Sequence, residues 1–368
     1  MTRTATQCAV TGSGAYAPPN VVTNEALCAA FNAWVRAENA RPDRDGPPLE
    51  ESSPEWVRKV SGISRRHFVD AEGVLDPTRM CPNIPDRPDD ALSVQAECAL
   101  HASKDALESA GLVGEDIDLV IVGASSLQRP YPALAIELQH AIGARGFGLD
   151  ISVGCSSGPF AIQLAAQAIA AGTAQRALVC VPEIPSAYSN FRARDSHFIL
   201  GDASVAVVIE PLEFAKPGAF EVIATTTFSR FSSAVRNNGG FLNRCHPETR
   251  DAADKLFYQD GPRVFHDIVR LVPQLVKDQL ARVELEPNAV ARLWLHQANL
   301  RMNQAIAERI AGPNASAPTV LEEYGNTASA GSLLAFHLHH ADLLPGSVGV
   351  LAAFGAGYTM GAQVLRRL

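Results

Sequence analysis

The sequence predicts an α/β protein built of two similar halves, and three features of its 368 residues lead there. Short apolar runs alternate with longer, alanine-rich segments of helical spacing, which separates an α/β chain from a helical bundle or a sandwich. The same grammar appears twice along the chain. At 47% apolar and 19% charged residues, there is enough hydrophobic mass for a sizeable core without disulfide staples.

In the first half, residues 119–123, 177–181 and 205–209 are continuous apolar runs of strand length and read as buried strands. Residues 91–110 have helical spacing with Gly111 as a stop, and residues 133–142 repeat the arrangement before Gly143. In the second half the pattern predicts a helix over about 264–280, a strand at 290–295, a helix over about 300–310 and a last strand around 348–353. Pro and Gly interrupt it between Pro211 and Pro217, so the halves are expected to be 1–212 and 213–368. Residues 40–53 and 76–90 are polar and proline-rich, and read as surface insertions that cannot form a core of their own.

A net charge of −8 argues against a nucleic-acid surface. No apolar run approaches the roughly 20 residues of a membrane span, and residues 1–19 lack a signal-peptide run, so a cytosolic location is expected. Seven cysteines form no CxxC pair and no ladder of spacings, which points to a reducing compartment rather than to zinc or disulfides. Gly12-Ser13-Gly14 lacks the third glycine of a dinucleotide fingerprint. His337, His339 and His340 have no carboxylate or thiolate neighbours in sequence and read as a histidine-rich helix end rather than a metal site.

One cysteine stands apart. Residues 149–153 read as a strand running into Gly154-Cys155-Ser156-Ser157-Gly158, after which 159–171 is apolar almost all round. Cys155 is thus expected at a strand-to-helix turn, where a helix N-terminus lowers a thiol pKa and makes the sulfur nucleophilic. The ordinary role of a buried cysteine is to fill core space, and the other six are read that way. Downstream, His296-Gln297-Ala298-Asn299 follows an apolar strand, and Gly325-Asn326-Thr327 marks a glycine turn. Alone, His296 reads as a core histidine and Asn326 as a turn residue; together with Cys155 they form a set that could converge at one end of the sheets.

These segments, with Phe354-Gly355-Ala356-Gly357, occur in the order found in type III β-ketoacyl-[acyl carrier protein] synthases, and the chain resembles that family from Val10 to Gly361. The resemblance implies a thiolase fold, two pseudo-duplicated halves in a five-layered αβαβα architecture, and a homodimer. It implies that Cys155 takes an acyl group from a thioester, that His296 and Asn326 assist decarboxylation of a malonyl thioester, and that the backbone N–H groups of Cys155 and Ala356 form the oxyanion hole. Ala356 departs from the glycine usual there. Trp56 matches a position that stacks coenzyme A adenine, although Val60 replaces the usual arginine, and Arg301 matches one associated with carrier-protein docking. Tyr131 aligns with a bulky residue that reaches across the dimer interface to limit the partner's acyl chamber. Acyl-CoA, acyl carrier protein and malonyl thioesters enter as substrates or partners, with no cofactor and no metal. A specialised ketosynthase or acyltransferase of secondary metabolism on the same fold, and a catalytically inactive carrier-protein-binding partner, stay open as alternatives.

Overall fold

The computed structural model describes residues 7–368; residues 1–6, part of the stretch read as lacking a signal-peptide run, lie outside the described residues. Nine strands form one hydrogen-bonded series, in the order Val290–Leu295, Val348–Gly355, Gly357–Arg367, Phe220–Ser232, Cys8–Tyr16, Ala203–Pro211, Ala177–Glu183, Leu119–Gly123 and Phe147–Ile151. The order contains a repeat. From Cys8–Tyr16 outward the pairings are antiparallel, antiparallel, then parallel. From Phe220–Ser232 outward they are again antiparallel, antiparallel, then parallel. The two series meet where Ala9 and Val10 lie opposite Glu221 and Phe220.

Alternation within the strands builds the layers, because successive side chains of a strand point to opposite faces. In the first half Ile121, Val179 and Val207 face inward, while Val120, Leu178 and Val208 face outward. In the second half Trp294, Leu351 and Leu365 face inward, while Leu293, Val350 and Val364 face outward. Both inward faces pack on the helices Ser157–Ala170 and Gly331–Leu338. The helices Val94–Ala110 and Leu134–Ile142 cover one outer face, and Gly261–Arg282 and Leu300–Ala311 cover the other. Five layers result, as expected.

A separate cap core gathers the helices Asn24–Asn39 and Pro54–Ser61 with Phe68, Phe191 and Phe198. The insertions at 40–53 and 76–90 contain no long element and are largely exposed. The predicted strands and helices are present, several extended at their ends, and the elements that go beyond them include Phe220–Ser232, Gly357–Arg367 and the cap helices Asn24–Asn39 and Pro54–Ser61. No helix among the described residues is long and apolar enough to cross a membrane.

The glycines at 12 and 14, which complete no dinucleotide fingerprint, have a packing reason instead. A Cβ on Gly14 would lie 2.4 Å from the Ala102 carbonyl oxygen and 2.4 Å from the Ala106 nitrogen, so the first strand and the helix Val94–Ala110 touch backbone to backbone. Gly14→Ala should therefore cost about 1–3 kcal/mol by forcing the helix away from the sheet. A denaturant unfolding midpoint checks it beside Gly261→Ala, where nothing lies within 4 Å of the added methyl.

Candidate active site

Cys155 lies between the strand Phe147–Ile151 and the helix Ser157–Ala170, preceded by Gly154 at φ 63°, a left-handed turn that glycine adopts without a Cβ penalty. The two serines that follow hold the turn. Ser157 Oγ accepts from the Val153 N–H at 3.0 Å, and Ser156 Oγ donates to Thr359 Oγ1 at 2.6 Å. Thr359 Oγ1 in turn reaches the Val153 carbonyl at 2.7 Å, so the first half of the chain is tied to its last strand beside the cysteine. The turn at 354–357 lies directly over this point. A Cβ on Gly355 would sit 2.4 Å from the Cys155 nitrogen, and one on Gly154 would sit 3.1 Å from the Ala356 nitrogen.

Cys155 and Ala356 both line an open cavity of about 470 Å³, with Ser125, Ser126 and Tyr188 on one side. Its other wall is the irregular segment 233–260, through Val235, Asn237, Gly240 and Phe257. Sequence reasoning passed over that cover segment, although Asn237-Asn238-Gly239-Gly240 is a turn signal.

His296 is buried at the end of the strand Val290–Leu295, its N–H donating to the Ala352 carbonyl at 2.8 Å. The imidazole stands edge-on to Phe354, ring centroids 4.8 Å apart, with the Ala328 backbone beside it, and Nδ1 has no protein partner. Burial pushes its pKa down to about 4, so the ring is neutral near pH 7. Asn326 is also buried, its Oδ1 accepting from the Ala328 N–H at 3.0 Å. Ala328, in a left-handed backbone at φ 48°, thus binds Asn326 and lies beside the His296 ring. Neither lines the cavity wall itself; His296 packs on Phe354, which belongs to the same turn as the wall residue Ala356.

The expected electrostatics of Cys155 need correcting. The helix begins two residues beyond it, with Ser156 in the capping position, and burial together with the Glu183 carboxylate pushes the thiol up to about 12 rather than down. Glu183 is a residue that sequence reasoning missed. It ends the strand Ala177–Glu183, whose seven residues are all buried. Its carboxylate accepts from the Ser125 N–H at 2.6 Å, from Ser125 Oγ at 2.7 Å, from the Ser329 N–H at 3.2 Å and from Ser329 Oγ. Desolvation outweighs these bonds and raises its own pKa to about 7. A charged residue closing a wholly apolar strand is the signal that could have found it.

The remaining candidates are dispersed. Trp56 is half-buried in the cap, edge-on to Phe198, with the Arg194 guanidinium 4.4 Å above its ring, a partner not foreseen. Arg58, beside it, pairs with Glu322 at 2.7 Å. Arg301 is exposed on the first turn of Leu300–Ala311. Tyr131 is 81% exposed and touches neither cavity beside Cys155. Asp202 accepts from the Val69 N–H and from Ser186, giving the Gly201-Asp202 turn a structural role. His337 and His340 are engaged by Ser13 Oγ and the Phe336 carbonyl.

Replacing Glu183 by Gln keeps the acceptor on one side and removes the charge that opposes thiolate formation, so the Cys155 pKa should fall. Alkylation of Cys155 by iodoacetamide at pH 8 should then be roughly two- to tenfold faster than in the parent. The difference should shrink below pH 7, where Glu183 takes up its own proton. Equal rates at pH 8, read by peptide mass, would remove the carboxylate as the cause.

Two family profiles match the chain: 3-oxoacyl-[acyl-carrier-protein] synthase III over residues 149–229, and the C-terminal part of the same family over 280–367. A β-ketodecanoyl-[acyl-carrier-protein] synthase of Pseudomonas aeruginosa is 44% identical over 347 residues, covering 92% of this chain and 99% of the relative. A β-ketoacyl-[acyl-carrier-protein] synthase III of Cereibacter sphaeroides is 30% identical, covering 97% and 98%. Among solved structures, the 3-oxoacyl-(acyl carrier protein) synthase III of Pseudomonas aeruginosa superposes with a TM-score of 0.78 at 24% identity over 98% of both chains. The priming β-ketosynthase of the R1128 polyketide pathway gives 0.79 at 24% identity, covering 100% and 98%. With a thiolase fold, and with a near full-length relative at that identity, the chain belongs to the 3-oxoacyl-[acyl-carrier-protein] synthase III family of condensing acyltransferases.

Proposed function

We propose that this chain transfers an acyl group from a thioester to Cys155 and then condenses it with malonyl-[acyl carrier protein], releasing CO2 and a 3-oxoacyl thioester for fatty acid biosynthesis. The observation that carries the reading is the placement of Cys155 on an open cavity, with the 354–357 turn against it, His296 packed on Phe354 of that turn and Asn326 bonded to Ala328. The Cys155 sulfur attacks the acyl carbonyl, and the oxygen that gains charge lies toward the N–H groups of Cys155 and Ala356. The proton that the resting thiol holds goes to the departing donor thiolate, which leaves as the free thiol. Loss of CO2 then places an electron pair on the malonyl thioester as an enolate. Asn326, whose Oδ1 is committed to Ala328, has its Nδ2 to offer that oxygen, and the neutral His296 has one N–H. The carbanion attacks the acyl carbonyl and expels Cys155 as the thiolate, which takes up a proton from solvent to restore the resting thiol.

On the same reading Trp56 with Arg194 receives coenzyme A or the carrier's prosthetic arm, and Arg301 meets the acidic carrier protein. The unpaired edge of Phe147–Ile151 and the exposed Tyr131 face a second copy in a cytoplasmic homodimer of two-half subunits, 1–212 and 213–368. Thioester activation supplies the driving force, and no cofactor or metal enters. The 44% identical relative is a β-ketodecanoyl synthase. A ten-carbon product built by adding two malonyl carbons needs an eight-carbon primer, and we infer a medium-chain primer here as well.

Intact mass after incubation with acyl thioesters tests the reading. Cys155→Ala should abolish the adduct, whereas His296→Ala and Asn326→Ala should keep it and lose malonyl decarboxylation by on the order of 100-fold or more. Decarboxylation at the parental rate in both variants would assign those side chains elsewhere. Tyr131→Ala should raise the ratio of long-chain to short-chain acylation while sedimentation still shows a dimer; an unchanged ratio would reduce Tyr131 to interface packing.

A further inference from the structure

Asn326 belongs to the second half of the chain, yet its main chain is paired with the first. The Asn326 N–H donates to the Ile199 carbonyl at 2.9 Å, and the Asn326 carbonyl accepts from the Gly201 N–H at 3.1 Å. Segment 198–202 is thus a rail on which the asparagine turn sits. The rail leans on a two-stranded ribbon of the cap, Asn20–Thr23 against Arg65–Phe68. At one end of the rail the Asp202 N–H donates to the His67 carbonyl at 2.8 Å. At the other end stands Arg66.

Arg66 is wholly buried. Its Nη2 donates to the Phe198 carbonyl at 3.0 Å and to Asn24 Oδ1 at 2.7 Å, and its Nη1 donates to the Val22 carbonyl at 3.2 Å. All three acceptors are neutral. Burial brings the guanidinium pKa down to about 10, so the group is still charged at neutral pH. A buried cation that bonds only neutral groups is costly to keep, and what it supplies in return is a planar fork that joins three acceptors from one stem. The stem makes contacts of its own. A Cβ on Gly201 would lie 2.9 Å from the Arg66 Cβ, and one on Gly325 would lie 3.4 Å from it. Gly201 belongs to the rail and Gly325 precedes Asn326, so the arginine packs against both partners of the pairing.

We propose that Arg66 is a positioning residue for the decarboxylation step: it fixes the rail at Phe198 and through it the direction in which Asn326 presents its amide. The inference rests on the condensing reading above, in which Asn326 Nδ2 serves the malonyl thioester, and adds the group that aims it. Arg66 does not line the cavity at Cys155, so transfer of the acyl group to the sulfur does not depend on it. The two half-reactions should therefore respond differently to its loss. A reacting group displaced by about 1 Å costs on the order of 100-fold in rate, which makes even a small shift of the rail measurable.

The experiment measures two rates on wild type, Arg66→Met, Arg66→Lys, Asn326→Ala and Gly14→Ala. One is growth of the Cys155 adduct mass with octanoyl thioesters of CoA and of carrier protein; the other is CO2 release from malonyl-[acyl carrier protein]. Arg66→Met removes every bond of the fork, and should acylate near the parental rate while losing CO2 release by on the order of 100-fold, in kcat rather than in KM. Arg66→Lys keeps the charge without the fork and should lie between, with the ratio of CO2 release to acylation down by about tenfold. Gly14→Ala strains the packing of the first strand on its helix, away from this turn, and should leave the ratio at the parental value, which separates aim from stability. A parental ratio in folded Arg66→Met, or in Arg66→Lys where the methionine variant does not fold, overturns the positioning role and leaves the condensing reading standing. So does an equal fall in Gly14→Ala. Parental CO2 release by Asn326→Ala overturns the reading of Asn326, and the role of Arg66 with it.

Discussion

The turn at 354–357 lies so close over Cys155 that a single methyl on Gly355 would meet the cysteine's backbone nitrogen at 2.4 Å. Backbone against backbone is the tightest approach two segments can make, and it tolerates no side chain between them. Here it joins an element of the first half to one of the second. The relay from Ser156 to Thr359 to the Val153 carbonyl runs beside it and sets the angle at which they meet. Once this contact is made, Phe354 is fixed, His296 packs edge-on against it, and Ala328 binds Asn326 beside the His296 ring. The arrangement of the site is thus a consequence of how the two halves of the sheet close on the central helices.

Electrostatically the site is quiet at rest. The thiol is pushed up to about 12, the imidazole down to about 4, and Glu183 up to about 7, all chiefly by removal from water. Burial penalises whichever form is charged, so each group moves toward its neutral state. Groups in such surroundings interact strongly with charge that appears during reaction, because no solvent screens it. Glu183 has a second role that is purely geometric. By binding Ser125 and Ser329 it ties the wall of the Cys155 cavity to the turn that carries Asn326.

Irregular segments complete what the layers begin. The cover segment 233–260 forms one wall of the cavity, and the proline-rich insertion at 76–90 places Ile84 in the lining of a second cavity of about 200 Å³ that shares Ser126 and Tyr188 with the first. A rigid scaffold places the reacting groups, while loops of low regularity shape access to them, which is the usual division between sheets and their connections.

Much of the fold was legible because its determinants are local. The runs 119–123, 177–181 and 205–209 are apolar without a break, and only a buried strand uses such a run. The glycines around Cys155 mark a turn, and His296 and Asn326 fall at a strand end and at a second turn, as their flanking residues imply. The strand Gly357–Arg367 was not legible, since its glycine, threonine and glutamine break the apolar pattern and it is held by pairing with neighbours on both sides. The direction of the thiol's pKa followed the same rule: a helix N-terminus can be read in sequence, but the burial of Cys155 and the nearness of Glu183 arise only when the folded sheet brings these two residues, distant in the chain, together. The stacking of Arg194 on Trp56 and the meeting of Ile84 and Tyr188 in the lining of one cavity likewise join distant parts of the chain. By itself the sequence determined which residues are strands, turns and candidate reactive groups, because hydrophobic period and turn chemistry act over a few residues. Tertiary structure alone decided their charge states, their partners and the space around them, because desolvation and packing depend on everything that closes over a residue.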